Sequence, residues 1–182
     1  MAPGRPSLGQ LVLKTIVTHT VTYFLIGLAA FWSFGYARKF AEPGVRSLMR
    51  QVDEPLVMAG PLFQPIRGLL FGLVSYLLRE PLFGARRGWL VLWFVLVVVG
   101  ILGTFGPAPG SVEGMVYTTL PLRFHLESLP EIVVQALAFA ALLWYWVNHP
   151  EKRWLTGVLG VAFVAVLLLP ILGRLAGRAA GP

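Results

Sequence analysis

The sequence predicts an all-α integral membrane protein, a polytopic bundle of about five transmembrane helices. Hydrophobic residues make up 57% of the 182 residues and charged residues only 13%, whereas soluble domains carry roughly 25% charged residues. The mean hydropathy is +0.74, and the apolar residues are grouped in runs of about 20 residues, the length that crosses a bilayer. Spans of this length leave room for a single domain, 1–182.

Short turns rich in proline, glycine and basic residues separate the apolar runs. The predicted spans are 11–36, 56–78, 89–105, 129–148 and 154–173, with a possible interfacial helix over 44–53. In that last segment apolar residues recur at helical spacing, and Arg46 and Arg50 lie on another side. This pattern is typical of a helix that rests in the headgroup region.

The charge pattern predicts lipid partners. The formal net charge is +7, but the basic residues lie in short loops beside apolar runs, which favours anionic lipid headgroups over nucleic acid. We therefore expect the lipid bilayer and its anionic headgroups as partners, and no nucleic acid. Since the chain has no cysteine, disulfides and thiolate metal sites are excluded, and no metal site is predicted.

The side of the membrane on which the N-terminus lies depends on the loops. Basic residues divide evenly between the two sides, so the positive-inside rule alone does not decide the orientation. The long glycine- and proline-rich loop after the third span has the character of an exoplasmic loop, and we therefore place the N-terminus in the cytoplasm. The membrane is expected to be a bacterial-type inner or plasma membrane.

The first span carries a polar stripe. Thr15, His19 and Thr22 fall on one helical face, which must face protein rather than lipid. In one interpretation the threonines bond back to their own helix and His19 bonds to a neighbouring helix. In the other, His19 lines a functional site.

The second span contains a charged residue, Arg67. In a continuous helix over 56–78, Arg67 lies near the midpoint, where insertion costs at least ~2.5–3.5 kcal/mol. If Pro61 and Pro65 break the backbone instead, the regular helix begins near Pro65 and Arg67 falls in its first turn. The continuous form favours pairing with an acid on another helix, and the broken form favours binding of an anion.

Two further features accompany Arg67. Gln64, three residues earlier, lies on the same helical face together with Gly68. Gly68 and Gly72 form a small-xxx-small pattern, which permits another helix to approach closely.

The connection over 105–129 is long for a compact bundle, and such loops are often functional. It contains Glu113 and His125. We consider a folded cap over the bundle, a binding loop or gate, and a catalytic site. The catalytic interpretation is the weakest of the three, because no nucleophile elbow is present.

Ser128 and Glu131 form a predicted capping box at the start of the fourth span. Gln135 follows Glu131 on the same face, one turn deeper. Counting crossings places the starts of spans two and four on one side of the membrane. Glu131 is therefore either a helix cap or the partner of Arg67.

These residues lead to three functional hypotheses. The first is a transporter or binding protein for an anionic or amphiphilic ligand. The second is an accessory or assembly subunit of a larger membrane complex, and the third an intramembrane enzyme that acts on a lipid or isoprenoid with His19 or His125 as base. The candidate ligand-binding residues are Arg67, Gln64, His19, Glu131, Gln135, Glu113 and His125.

Recognised catalytic and nucleotide-binding motifs are absent from the sequence, so the sequence identifies no cofactor and favours binding over catalysis. We also expect either a homo-oligomer or membership of a larger membrane complex.

Overall fold

The computed structural model describes residues 6–179, with side chains as far as residue 176. Within those residues every regular element is a helix. The α-helices are α1 (Leu8–Phe34), α2 (Tyr36–Phe40), α3 (Pro43–Arg46), α4 (Pro55–Met58), α5 (Gln64–Leu77), α6 (Arg79–Phe83), α7 (Gly88–Phe94), α8 (Val112–Tyr117), α9 (Leu122–Asn148) and α10 (Arg153–Ala179).

Three helices are long and apolar enough to cross a membrane. They are Leu8–Phe34, Leu122–Asn148 and Arg153–Ala176. This finding supports a helical membrane protein, as the sequence predicts. The other two predicted spans are built from shorter pieces, so helix length alone does not give five spans.

The second predicted span is broken rather than continuous. After α4 the chain forms a 3₁₀ helix over Gly60–Phe63, and only then does α5 begin at Gln64, with Pro65 in its first turn. Proline suits the first turn because it has no backbone N–H to donate there. Arg67 therefore lies in the first turn of α5, as the broken form requires.

The third predicted span changes helix type along its length. α7 continues directly into a π-helix over Val95–Leu102. The wider hydrogen-bond pattern extends to the end of the segment, where the Gly103 N–H donates to the Val98 carbonyl at 2.8 Å. A π-helix of this length is rare, and π-helical turns are frequent at functional sites.

α1 is the central helix and packs against α5, α9 and α10. Its approach to α5 is very close, because a Cβ atom added to Gly68 would lie 2.7 Å from the Ile16 Cα atom, and one added to Gly72 would lie 2.9 Å from the Val12 Cα atom. The glycine pattern predicted from the sequence is therefore the contact surface of α5 on α1.

The polar stripe of α1 is buried in the bundle. The Thr15 hydroxyl donates to the Leu11 carbonyl at 2.7 Å, and the Thr22 hydroxyl donates to the Thr18 carbonyl at 2.8 Å. These bonds satisfy the hydroxyls of Thr15 and Thr22 within the helix itself, as the first interpretation of the stripe predicts. The buried hydroxyls of Thr18 and Thr20 have no hydrogen-bond partner in the described part of the chain.

The bundle has two ends, which we name by Lys14 of α1 and Lys39 of α2. At the Lys14 end, the Lys14 ammonium donates to the Trp146 carbonyl at 2.8 Å, and the Trp144 indole donates to the Ala85 carbonyl at 3.2 Å. At the Lys39 end, Lys39 pairs with Glu127 at 2.5 Å. α1 and α9 therefore run antiparallel.

The predicted interfacial helix over 44–53 is wrong in extent, because only Pro43–Arg46 is helical. Side-chain hydrogen bonds hold the rest of this segment in a non-helical path. The Gln51 amide donates to the Phe40 carbonyl at 2.9 Å, and the Glu54 carboxylate accepts from the Gln51 N–H at 3.1 Å.

The predicted start of the fourth span is also wrong. α9 begins at Leu122, and Pro130 lies inside it. Ser128 does not cap the helix, since its hydroxyl donates to the His125 carbonyl at 2.8 Å, one turn earlier in the same helix. The first turns of α9 therefore occupy a stretch that the sequence assigns to the long loop.

Candidate functional site

A cavity of about 330 Å³ opens at the Lys39 end of the bundle. Its walls come from α1, α2, α5, the π-helix, the Ala108–Pro109 turn and the first turns of α9. Most of the lining is aromatic or aliphatic. The charged and polar side chains on the wall, tyrosines apart, are Lys39, Arg67, Glu127, Ser128, Glu131 and Gln135.

Both acidic side chains on the wall have ion-pair or hydrogen-bond partners within the protein. Glu127 accepts from Lys39 at 2.5 Å and from Arg123 at 2.6 Å. Glu131 accepts a hydrogen bond from the Tyr36 hydroxyl. Neither acid forms an ion pair with Arg67 in the described contacts, so Glu131 has a different partner from the one the sequence led us to expect.

Arg67 differs from Lys39 in its surroundings. Its guanidinium lies 5.4 Å from the centre of the Phe71 ring, a cation–π contact. Within the described residues no carboxylate lies within ion-pair distance of it, and the side chain is exposed in the isolated bundle. The cavity wall therefore presents a guanidinium whose donors can bind an anion.

Tyr36 is held as a hydrogen-bond donor. Burial, reinforced by the hydrogen bond to Glu131, raises the pKa of the Tyr36 phenol well above its usual value. Its hydrogen bond fixes the position of the Glu131 carboxylate.

Replacing Tyr36 with phenylalanine is expected to lower the thermal unfolding midpoint of the purified protein. The change leaves the half-buried Glu131 carboxylate without its donor, and such a loss costs about 1–3 kcal/mol. Tryptophan fluorescence during heating would measure the shift. Tyr117→Phe is the control, since Tyr117 is 72% exposed. Equal midpoints for the two variants would show that the Tyr36 hydroxyl contributes nothing.

A smaller cavity of about 120 Å³ adjoins the first and shares Arg67 and Gln135 with it. His19 lies on its wall, and the His19 Nε2 and Gln64 Oε1 atoms are 3.2 Å apart. The His19 ring also meets Phe71 and Phe139 edge-on, at centroid distances of 5.0 and 5.5 Å. The bond to Gln64 is the interhelical contact expected for His19, and it also orients the ring at the cavity wall.

Two of the predicted site residues lie away from both cavities. Glu113 is on α8 and lines neither of them. His125 is 1% exposed, and its Nδ1 atom accepts from the Gly110 N–H at 3.0 Å. On its other side, the His125 Nε2 atom lies 3.4 Å from the Thr118 hydroxyl. The hydrogen bond from Gly110 to His125 holds the Gly110 turn against α9. This contact is expected if the loop forms a folded cap over the bundle.

Among the titratable side chains on the wall, four were not identified from the sequence: Tyr23, Tyr36, Lys39 and Glu127. Tyr36 and Lys39 reach the cavity because α1 ends at Gly35, whose φ of 62° lies in the left-handed region. The chain then turns into α2, which presents Tyr36 and Lys39, three residues apart, on one face. This spacing, directly after a helix-ending glycine, is the signal that could have identified them.

Side chains suited to metal binding remain apart. In the part of the chain that the structure describes, no group of three histidine or acidic side chains comes together to hold a metal ion. No family model matches the chain, and no solved structure matches it.

Proposed function

We propose that this protein is a small multi-pass membrane protein that binds an anionic amphiphile, as a transporter or binding protein. The ligand's anionic group contacts Arg67, and its apolar part contacts the aromatic and aliphatic wall of the larger cavity. The observation that carries the proposal is an arginine on a largely apolar cavity wall whose neighbouring acids have other partners.

The dimensions of the cavity support a small ligand. A volume of about 330 Å³ falls at the lower end of the ~300–1,000 Å³ that ligand pockets occupy. Predominantly apolar walls with a few fixed polar groups are also usual for such sites. The Gln135 amide adds a neutral hydrogen-bond donor and acceptor on the same wall as Arg67. Such a group suits the oxygen atoms of a phosphate ester or of a carboxylate.

Five membrane crossings form part of the proposal. The chain passes from Arg67 at the Lys39 end to Ala85 at the Lys14 end, and returns to Ala108 beside the larger cavity. α5 with its preceding 3₁₀ turn makes one of these passages, and α7 with the π-helix makes the other. With the N-terminus in the cytoplasm of a bacterial-type cell, the larger cavity faces the outer side.

Binding of palmitoyl lysophosphatidic acid to the purified protein in neutral detergent tests the proposal. Arg67→Ala is expected to weaken binding by roughly 10–100-fold, because a hydrogen bond to a charged group contributes about 1.5–3 kcal/mol. Isothermal titration calorimetry would measure the change. Monopalmitoylglycerol, which has the same chain and no charge, is expected to bind both proteins alike.

Arg86→Ala is the matched control, since Arg86 lies in the turn between α6 and α7 near the Lys14 end. It removes the same side chain from the other end of the bundle. A wild-type protein that does not bind the lysophosphatidic acid contradicts the proposal. So does an Arg67→Ala variant that stays monodisperse and binds as tightly as Arg86→Ala.

A further inference from the structure

Three cavities adjoin one another along α5. A third cavity, of about 170 Å³, follows the two that contain Arg67 and shares Phe71, Leu96 and Gly100 with the second. Gly100 lines all three cavities. The series therefore forms a track that leads from the Lys39 end toward the middle and far half of the bundle.

The chemistry of the walls changes along this track. The first cavity carries the charged residues, and the second carries Arg67, His19 and Gln135. The wall of the third cavity is apolar apart from Ser75. Val74 of α5 and Leu78, the residue after α5, line it on one side. Leu92 of α7 and Val99 of the π-helix line it on the other. A ligand that fills the track is therefore charged at one end and hydrocarbon at the other.

The length of the track matches one lipid leaflet. Arg67 and Leu78 are 11 positions apart in sequence, which corresponds to ~16 Å along a helix. Half the ~30 Å hydrocarbon thickness of a bilayer is ~15 Å. An acyl chain of a bilayer lipid is thus about as long as the distance from Arg67 to the far wall of the third cavity.

The π-helix provides the space between the two walls. Gly100 has no side chain, and a Cβ atom added there would have Val95 O as its nearest neighbour, at 3.8 Å. The junction of the three cavities is therefore open, and a Cβ atom there makes only an ordinary van der Waals contact with the backbone.

We propose that the ligand is a lipid drawn from the surrounding bilayer, with its anionic headgroup at Arg67 and one acyl chain in the track past Gly100. This inference rests on the proposed function and specifies its ligand class. The second and third cavities then bind the chain, and they discriminate between lipids by chain length.

Gly100→Leu tests the proposal, because a leucine side chain at the junction closes the track and leaves Arg67 in place. We expect this variant to bind palmitoyl lysophosphatidic acid at least about tenfold more weakly than the wild type. Hexanoyl lysophosphatidic acid, whose chain ends near the junction, is expected to lose much less affinity than the palmitoyl lipid. The matched control is Gly157→Leu on α10, where an added Cβ atom has nothing within 4 Å.

A lysophosphatidic acid with a diazirine at the end of its chain gives a second readout. In the wild type we expect photo-crosslinks within residues 74–82 and 92–99, and in Gly100→Leu we expect these crosslinks to be lost. Binding that depends on Arg67 but is unaffected by Gly100→Leu, with chain-end crosslinks elsewhere, overturns the acyl track and leaves the proposed function standing. Absence of Arg67-dependent binding for both chain lengths overturns both.

Discussion

Replacing Gly68 with alanine is expected to lower the thermal unfolding midpoint of the protein, although alanine is the better helix former. Alanine gains at most about 1 kcal/mol over glycine in a helix. The new methyl group would lie 2.7 Å from the Ile16 Cα atom and 3.4 Å from the Ile16 backbone nitrogen. Because this neighbour is backbone, α1 and α5 must separate, and overpacking of this kind costs about 1–3 kcal/mol. The cost of overpacking therefore exceeds the gain in helix propensity.

Replacing Gly157 with alanine is expected to raise the thermal unfolding midpoint or to leave it unchanged. An alanine Cβ there has no neighbour within 4 Å, so only the gain in helix propensity remains. The six tryptophans of the chain provide a fluorescence signal for the melting curve of each variant in detergent. If Gly68→Ala and Gly157→Ala shift the midpoint in the same direction, then the close approach of α1 and α5 does not hold the bundle together.

A second large effect is expected from Gly114→Ala, which acts on the turn that borders the larger cavity. A Cβ atom at Gly114 would lie 2.0 Å from the Ala108 carbonyl oxygen and 3.0 Å from the Ser111 hydroxyl oxygen. The Gly114 N–H also donates to that hydroxyl at 2.8 Å. The added methyl group therefore forces the Ala108 turn away from α8 and, with it, away from the cavity wall.

Hydrogen exchange over residues 110–118 measures this opening directly. In the wild type the Gly110 N–H is held by His125 and the Gly114 N–H by Ser111, so both amides are protected. Gly114→Ala is expected to speed their exchange, while the amides of α1 and α5 keep their wild-type rates. Gly106→Ala serves as the control in the same turn region, because its Cβ has nothing within 4 Å. Unchanged exchange in Gly114→Ala contradicts this account of the turn.

The α1–α5 packing was predictable because its cause is local. Gly68 and Gly72 are four residues apart, which places them on one helical face whatever the rest of the chain does. The break before α5 has an equally local cause in Pro61 and Pro65. Both features follow from backbone sterics, and they position Arg67 correctly in the first turn of its helix.

The start of α9 was not predictable by the same reasoning. Ser128 and Glu131 satisfy the spacing of a capping box, and Pro130 satisfies the preference for proline in a first helical turn. In the structure, bonds between distant parts of the chain outweigh this local signal. Glu131 accepts from Tyr36 on another helix, and His125 holds the Gly110 turn.

The composition of the site was predictable only in part. Arg67, Glu131 and Gln135 share the wall of the larger cavity, as expected from the sequence, which places the starts of the second and fourth predicted spans on one side. Lys39 joins them through the turn at Gly35, whose direction depends on a backbone conformation that composition does not reveal. From the sequence, His125 is a candidate site residue because the sequence does not distinguish a buried structural histidine from a functional one.

The π-helix has a consequence for insertions and deletions. Each residue of an α-helix advances the chain by about 100° around its axis, and a π-helical segment accommodates additional residues within the same rise. Removing one residue from Val95–Leu102 would favour a return to α-helical geometry, and the side chains within the segment would then point in different directions. Gly100 and Ile101 would then no longer face the cavities together with Leu96. The way the three cavities meet thus depends on the number of residues in this segment as much as on their identity.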